Sequence, residues 1–132
     1  MRRILLLAAI GLCGCGPPRP TDLAHKTRTG AEEIARAYFT SILNSDWPAA
    51  YETLDRASRS WCSLEQFAAR GQRHLKRMGF APTEVNLAVT ETGDNASANA
   101  VFRAGSKQFR DGAALRRTES GWRVALPRNF GA

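Results

Sequence analysis

The spacing of apolar residues changes once along this chain, at Pro82, and that change restricts the fold more than any other feature. Upstream, apolar residues recur every third or fourth position, the period of a helix with one buried face. Downstream they recur every second position, the period of a half-buried strand. Ile34, Ala35, Tyr38, Phe39, Ile42 and Leu43 form a broad stripe behind Thr29-Gly30-Ala31-Glu32, which has the form of a capping box, and Asn44-Ser45 ends it. Asp46-Trp47-Pro48 starts a second, shorter helix with Ala49, Ala50, Tyr51 and Leu54 on its apolar side, expected to fray around Arg56–Ser60. Ser63 and Gln66 repeat the capping-box pattern. The third helix then carries Leu64, Phe67, Ala68, Leu75 and Met78 on one face and Arg70, Arg73 and Arg77 on another, and Gly79 closes it.

Beyond Pro82, Val85, Leu87 and Val89 mark a strand, and Ala96, Ala98, Ala100 and Phe102 mark a second after the turn at Gly93-Asp94-Asn95. Lys107–Thr118 reads as a third strand, bent or bulged near Asp111-Gly112. Trp122, Val124 and Leu126 mark a fourth, stopped by Pro127. The class is therefore α+β: three N-terminal helices packed on a curved four-stranded antiparallel meander.

The N-terminus carries a different signal. Met1-Arg2-Arg3 is followed by an apolar run from Ile4 to Leu12, the length of a secretory core and far short of the roughly 20 residues that span a bilayer. Leu12-Cys13-Gly14-Cys15 then resembles a bacterial lipobox. The resemblance implies cleavage after Gly14 and acylation of Cys15. Residues 1–14 are then a signal peptide, 15–29 a lipidated tether, 30–127 the folded domain and 128–132 a tail. The protein is then exported and anchored in a membrane, on the periplasmic or outer surface. Gly16 stands where an Asp would favour retention at the inner membrane, which implies the outer membrane in a Gram-negative cell. A plain secretory peptide is the alternative, and a Cys15–Cys62 disulfide stays open only if Cys15 is not acylated. A metal site at Cys13 and Cys15 lacks ligands, since only Cys62, His25 and His74 remain, without zinc-like spacing.

Without residues 1–14, Lys+Arg falls from 19 to 17 against 12 acids, and the net charge falls from +7 to +5. Export and the scatter of the arginines argue against nucleic acid as a partner. Cys62 reads as a buried small hydrophobe, because nothing in the spacing places a base such as His74 beside it. No cofactor or metal is expected.

The stretch from Asp46 to Arg70, followed by the meander ending in Gly121-Trp122-Arg123-Val124, resembles the nuclear transport factor two-like superfamily, which includes ketosteroid isomerase. Tyr38 and Phe39 on the first helix and Asp46 with Ala50-Tyr51 on the second complete the pattern. The resemblance implies a sheet curled around the helices into a cone with a pocket at its open end. Tyr38, Tyr51, Trp61, Glu91, Phe102 and Trp122 are the candidate lining. It also implies a non-catalytic binding or structural module at the cell envelope, taking a small apolar ligand or an envelope protein. The alternative is an isomerase-like or dehydratase-like enzyme on a small apolar substrate. In that reading Glu91, on the face of Val85, Leu87 and Val89, is the base, and Tyr38 or Tyr51 donates to an oxyanion. No residue matches the family's catalytic positions by motif, so none is assigned as catalytic. The outward face of the sheet is largely polar or basic (Ser97, Asn99, Arg103, Arg123), which weakens an apolar face-to-face dimer and favours a monomer or a polar contact.

Overall fold

The computed structural model describes residues 28–132. Cys15, the expected signal peptide over 1–14 and most of the expected tether over 15–29 lie outside the described residues. Four helices precede four strands: α1 (Ala31–Leu43), α2 (Trp47–Glu52), α3 (Arg56–Trp61), α4 (Leu64–Met78), β1 (Glu84–Thr92), β2 (Asn95–Ala104), β3 (Lys107–Thr118) and β4 (Gly121–Ala125). The strands pair in sequence order, all antiparallel, so the α+β meander is as expected. Among the described residues no helix is long and apolar enough to cross a membrane.

Where fraying was expected after the second helix, the chain stops and restarts. Asp55 accepts a hydrogen bond from the Ser58 N–H at 2.8 Å, a side-chain cap that opens α3. Leu54 is fixed beside β4: Val124 N–H donates to Thr53 O and Asp55 N–H donates to Val124 O, each at 2.8 Å. Asp46 caps α2, and Ser63 with Gln66 forms the capping box of α4.

Two local expectations are corrected. The Thr29/Glu32 capping box does not form; Gly30 is the N-cap of α1, with φ 112°, a conformation that favours glycine. The bulge at Asp111-Gly112 is absent as well, because the β2–β3 register runs unbroken, with Ala100 opposite Asp111 and Asn99 opposite Gly112. Asp111 thereby keeps the alternation of its strand and lies on the inner face with Phe109, Ala113 and Leu115.

The core lies between α1 and the concave side of the sheet. Phe39 and Phe102 are fully buried and meet edge to face at 6.0 Å, and Tyr38 meets Phe39 in the same way at 5.0 Å. A second focus surrounds Phe67 on α4, which touches Trp47, Tyr51 and Phe130. Phe130 belongs to the five residues set apart above as a tail. Its ring stacks on Phe67 at 5.5 Å, and Arg70 and Arg73 donate to the carbonyls of Arg128, Phe130 and Gly131. The C-terminal segment therefore closes the end of the cone that β4, stopping at Ala125, leaves open beside Asp111.

Candidate functional site

The cone is packed at its centre, where Phe39 and Phe102 are fully buried, and a hollow persists at its mouth beside the C-terminal segment. A pocket of about 250 Å³ remains there, and its lining includes Tyr38 from α1, His74 and Arg77 from α4, Asp111 from β3, and Asn129 and Phe130 from the C-terminal segment. His74 lies seven residues after Phe67 and four before Met78, on the inward face of α4. Its Nε2 is 2.7 Å from Asp111 Oδ2, and both side chains are largely shielded from solvent. The carboxylate can only accept, so Nε2 carries the proton and donates to Asp111. Asp111 Oδ1 accepts from the Gly112 N–H at 2.8 Å, so both carboxylate oxygens are held. The imidazole is wedged between Phe109 and Phe130, with ring centroids 5.8 and 4.9 Å away.

Tyr38 completes the constellation. Its hydroxyl makes no hydrogen bond among the described residues, although the residue is buried. Burial pushes its pKa far above the ordinary range, and the charge of Asp111 adds to the rise. Tyr38 therefore remains a neutral donor. The pocket is lined by a phenol, an imidazole held by a carboxylate and, from Arg77, a cation.

Of the six lining residues expected from sequence, Tyr38 alone lines this pocket. Phe102 is fully buried core. Tyr51 donates its O–H to Cys62 O at 2.8 Å and ties α2 to the end of α3. Trp61 has the guanidinium groups of Arg70 and Arg128 over its ring, 5.4 and 4.7 Å from the centroid. Trp122 donates its indole N–H to Thr29 Oγ1 at 2.9 Å, with Arg117 over its ring.

Glu91 points inward, as its parity requires, but onto the start of α1 rather than into the cone mouth. Its carboxylate accepts from the N–H groups of Thr29 and Ala31 and from the Thr29 hydroxyl at 2.9–3.1 Å, and so caps the helix from the sheet. Desolvation raises its pKa, but the hydrogen bonds from Thr29 and Ala31 and the charge of Arg117 outweigh this and leave it lowered. A lowered folded pKa supplies stability above the ordinary carboxylate range that is lost as pH falls through the folded value. Glu91→Gln should therefore destabilise the domain by about 1 kcal/mol at neutral pH, and urea titrations should show the gap closing in acid. A gap that persists at low pH would contradict the cap.

Cys62 is buried; burial raises its thiol pKa and Arg70 only partly offsets this, so the thiol is not activated.

Neither protein-family models nor curated proteins give a match to this chain. Among solved structures the chain is similar to a Campylobacter jejuni protein assigned as an NTF2-like transpeptidase. The two are 16% identical, with a TM-score of 0.59 over 75% of this chain and all of the other. At that identity the likeness shows the fold, a nuclear transport factor two-like cone.

Proposed function

We propose that this protein is an exported, lipid-anchored binding domain whose cone mouth holds a small polar ligand between Tyr38, His74 and Asp111. The carrying observation is the His74–Asp111 hydrogen bond inside the pocket, with the Tyr38 hydroxyl left unpaired beside it. The phenol O–H of a pocket-lining tyrosine is free to donate, and a ligand that carries an acceptor would pair with it. The packing of Phe39 against Phe102 leaves little room for the small apolar ligand or substrate that the fold family suggests. The lipobox at Leu12–Cys15 supports acylation of Cys15, and Gly16 supports the outer membrane in a cell that has one.

A thermal-shift screen of small metabolites tests the pocket. A ligand at a hundred times its Kd should stabilise the wild type by about 2.7 kcal/mol. His74→Gln and Asp111→Asn should abolish the gain, whereas Lys76→Gln on the outer side of α4 should keep it. Gains that survive both pocket substitutions would place binding elsewhere. The anchor is tested by the intact mass of membrane-extracted protein: a chain beginning at Cys15 and carrying acyl chains is expected, and an unmodified N-terminus would reject it.

The same three groups favour one second reading. Asp111 would orient His74 as a general acid or base while Tyr38 donates to a developing oxyanion. This replaces Glu91, which is occupied at α1, as the candidate base. The pocket lining contains no Ser, Thr or Cys, so the acyl transfer suggested by the name of the Campylobacter protein finds no such nucleophile there. Turnover that is lost in His74→Gln and restored by added imidazole would establish the enzymatic reading over the binding one.

A further inference from the structure

We propose that the hollow among Arg56, Arg59 and Arg123 is a binding site for a phosphate group, separate from the cone mouth. The hollow has a volume of about 360 Å³, and Leu54, Thr118, Glu119 and Ser120 complete its lining. Arg59 and Arg123 reach it from different elements, α3 and β4, yet both donate to one atom, Glu52 O, at 2.6 and 2.9 Å. Two guanidinium groups sharing one uncharged acceptor repel each other, and a carbonyl dipole offsets this only in part. None of the three arginines forms an ion pair among the described residues, and Glu119 is the single acid of the lining.

Two of the three guanidinium groups, those of Arg59 and Arg123, are held before any ligand arrives. The Arg59 guanidinium lies over the Tyr51 ring, 5.3 Å from its centroid, and Tyr51 is itself held by Cys62 O. Thr118 Oγ1 donates to Gly121 O and accepts from the Ser120 N–H, which shapes the β3–β4 turn at the rim. Each guanidinium keeps further N–H donors in a planar fork that matches two oxygens of a phosphate. An anion of that kind would relieve the repulsion and engage donors already in place.

The location suggests a source. The β3–β4 hairpin that lines the hollow also holds Thr29 through Trp122 and Arg117, so the site lies on the side of the domain where Thr29 leads into α1. With the proposed anchor at Cys15, that side faces the membrane and the phosphate is a lipid headgroup; without it, the same site takes free phosphate. Only the choice of source rests on the anchor.

The test uses the unlipidated chain from residue 15 onward, which holds every described element. Inorganic phosphate is titrated while the arginine Nε–H resonances are followed, and binding is compared on vesicles of phosphatidylcholine with and without phosphatidylglycerol. Saturable shifts at Arg56, Arg59 and Arg123 are expected, with tighter binding to the anionic vesicles. Arg56→Gln and Arg59→Gln should each weaken binding about fivefold, the effect of one cation near an anionic surface. Arg56 makes no side-chain hydrogen bond among the described residues, so its substitution leaves the Glu52 contacts intact. Phosphate saturation with no preference between vesicles supports the site and assigns it to free phosphate. Shifts that do not saturate, or an equal loss in Lys76→Gln, would reduce the hollow to general surface charge and overturn the proposal.

Discussion

Phe39→Ala should cost about 3–5 kcal/mol, the range for deleting a fully buried phenylalanine. Phe39 has no exposure and lies between Tyr38 and Phe102, so no neighbouring side chain can collapse into its place from solvent. Small domains are stable by only about 5–15 kcal/mol, so the loss would remove a large share of the whole. Urea denaturation measures it directly. Tyr38→Phe provides the contrast: it keeps the ring in the core and removes only a hydroxyl that faces the pocket, so its cost should stay well below that of Phe39→Ala. A loss under about 1 kcal/mol at Phe39 would mean that the cone is loosely filled, and the case for a polar ligand at its mouth would weaken accordingly.

Gly71→Ala should also destabilise, against the usual trend. In an exposed helix interior the change gains roughly 0.5–1 kcal/mol. Here a Cβ on Gly71 would come within 3 Å of three ring atoms of Trp47, whose other contacts include the edge of Phe67. Trp47 has little freedom to move, so the overpacking should cost about 1–3 kcal/mol and reverse the sign. Trp47→Leu makes room for the methyl group, and a double-mutant cycle should show positive coupling between the two positions. Additivity would show that α2 and α4 are not locked together at this point.

The helix-to-strand switch at Pro82 is local information, and so are the caps at Asp46 and Ser63; these carried the fold. The Asp55 cap was equally local, since an Asp stands three residues before Ser58, but an expected fray at the end of α2 hid it. The site was half legible. His74 falls in the row Phe67, Gly71, His74 and Met78, but a polar side chain adds nothing to the apolar periodicity that marks an inward face. Asp111 has inward parity with Phe109 and Ala113, but the following glycine read as a bulge. Their meeting was not legible, because 37 residues and the closure of the C-terminal segment separate the two in sequence. Glu91 shows the opposite limit. Its inward parity was correct, yet parity cannot say whether an inward side chain meets a cavity or a helix terminus.

The aromatic residues follow the same logic. Tyr51, Trp61 and Trp122 each have a polar or cationic partner that comes from another element, so their type marked them as candidates while their packing assigned them to the scaffold.

The central claim is that the pocket beside His74 and Asp111 holds a small molecule. Native mass spectrometry of the chain from residue 15 onward, desalted gently, tests it most directly. The account predicts a fixed small mass above that of the wild-type polypeptide, lost in Asp111→Asn while the variant remains folded. A bare wild-type chain, or an added mass that Asp111→Asn retains, would contradict it.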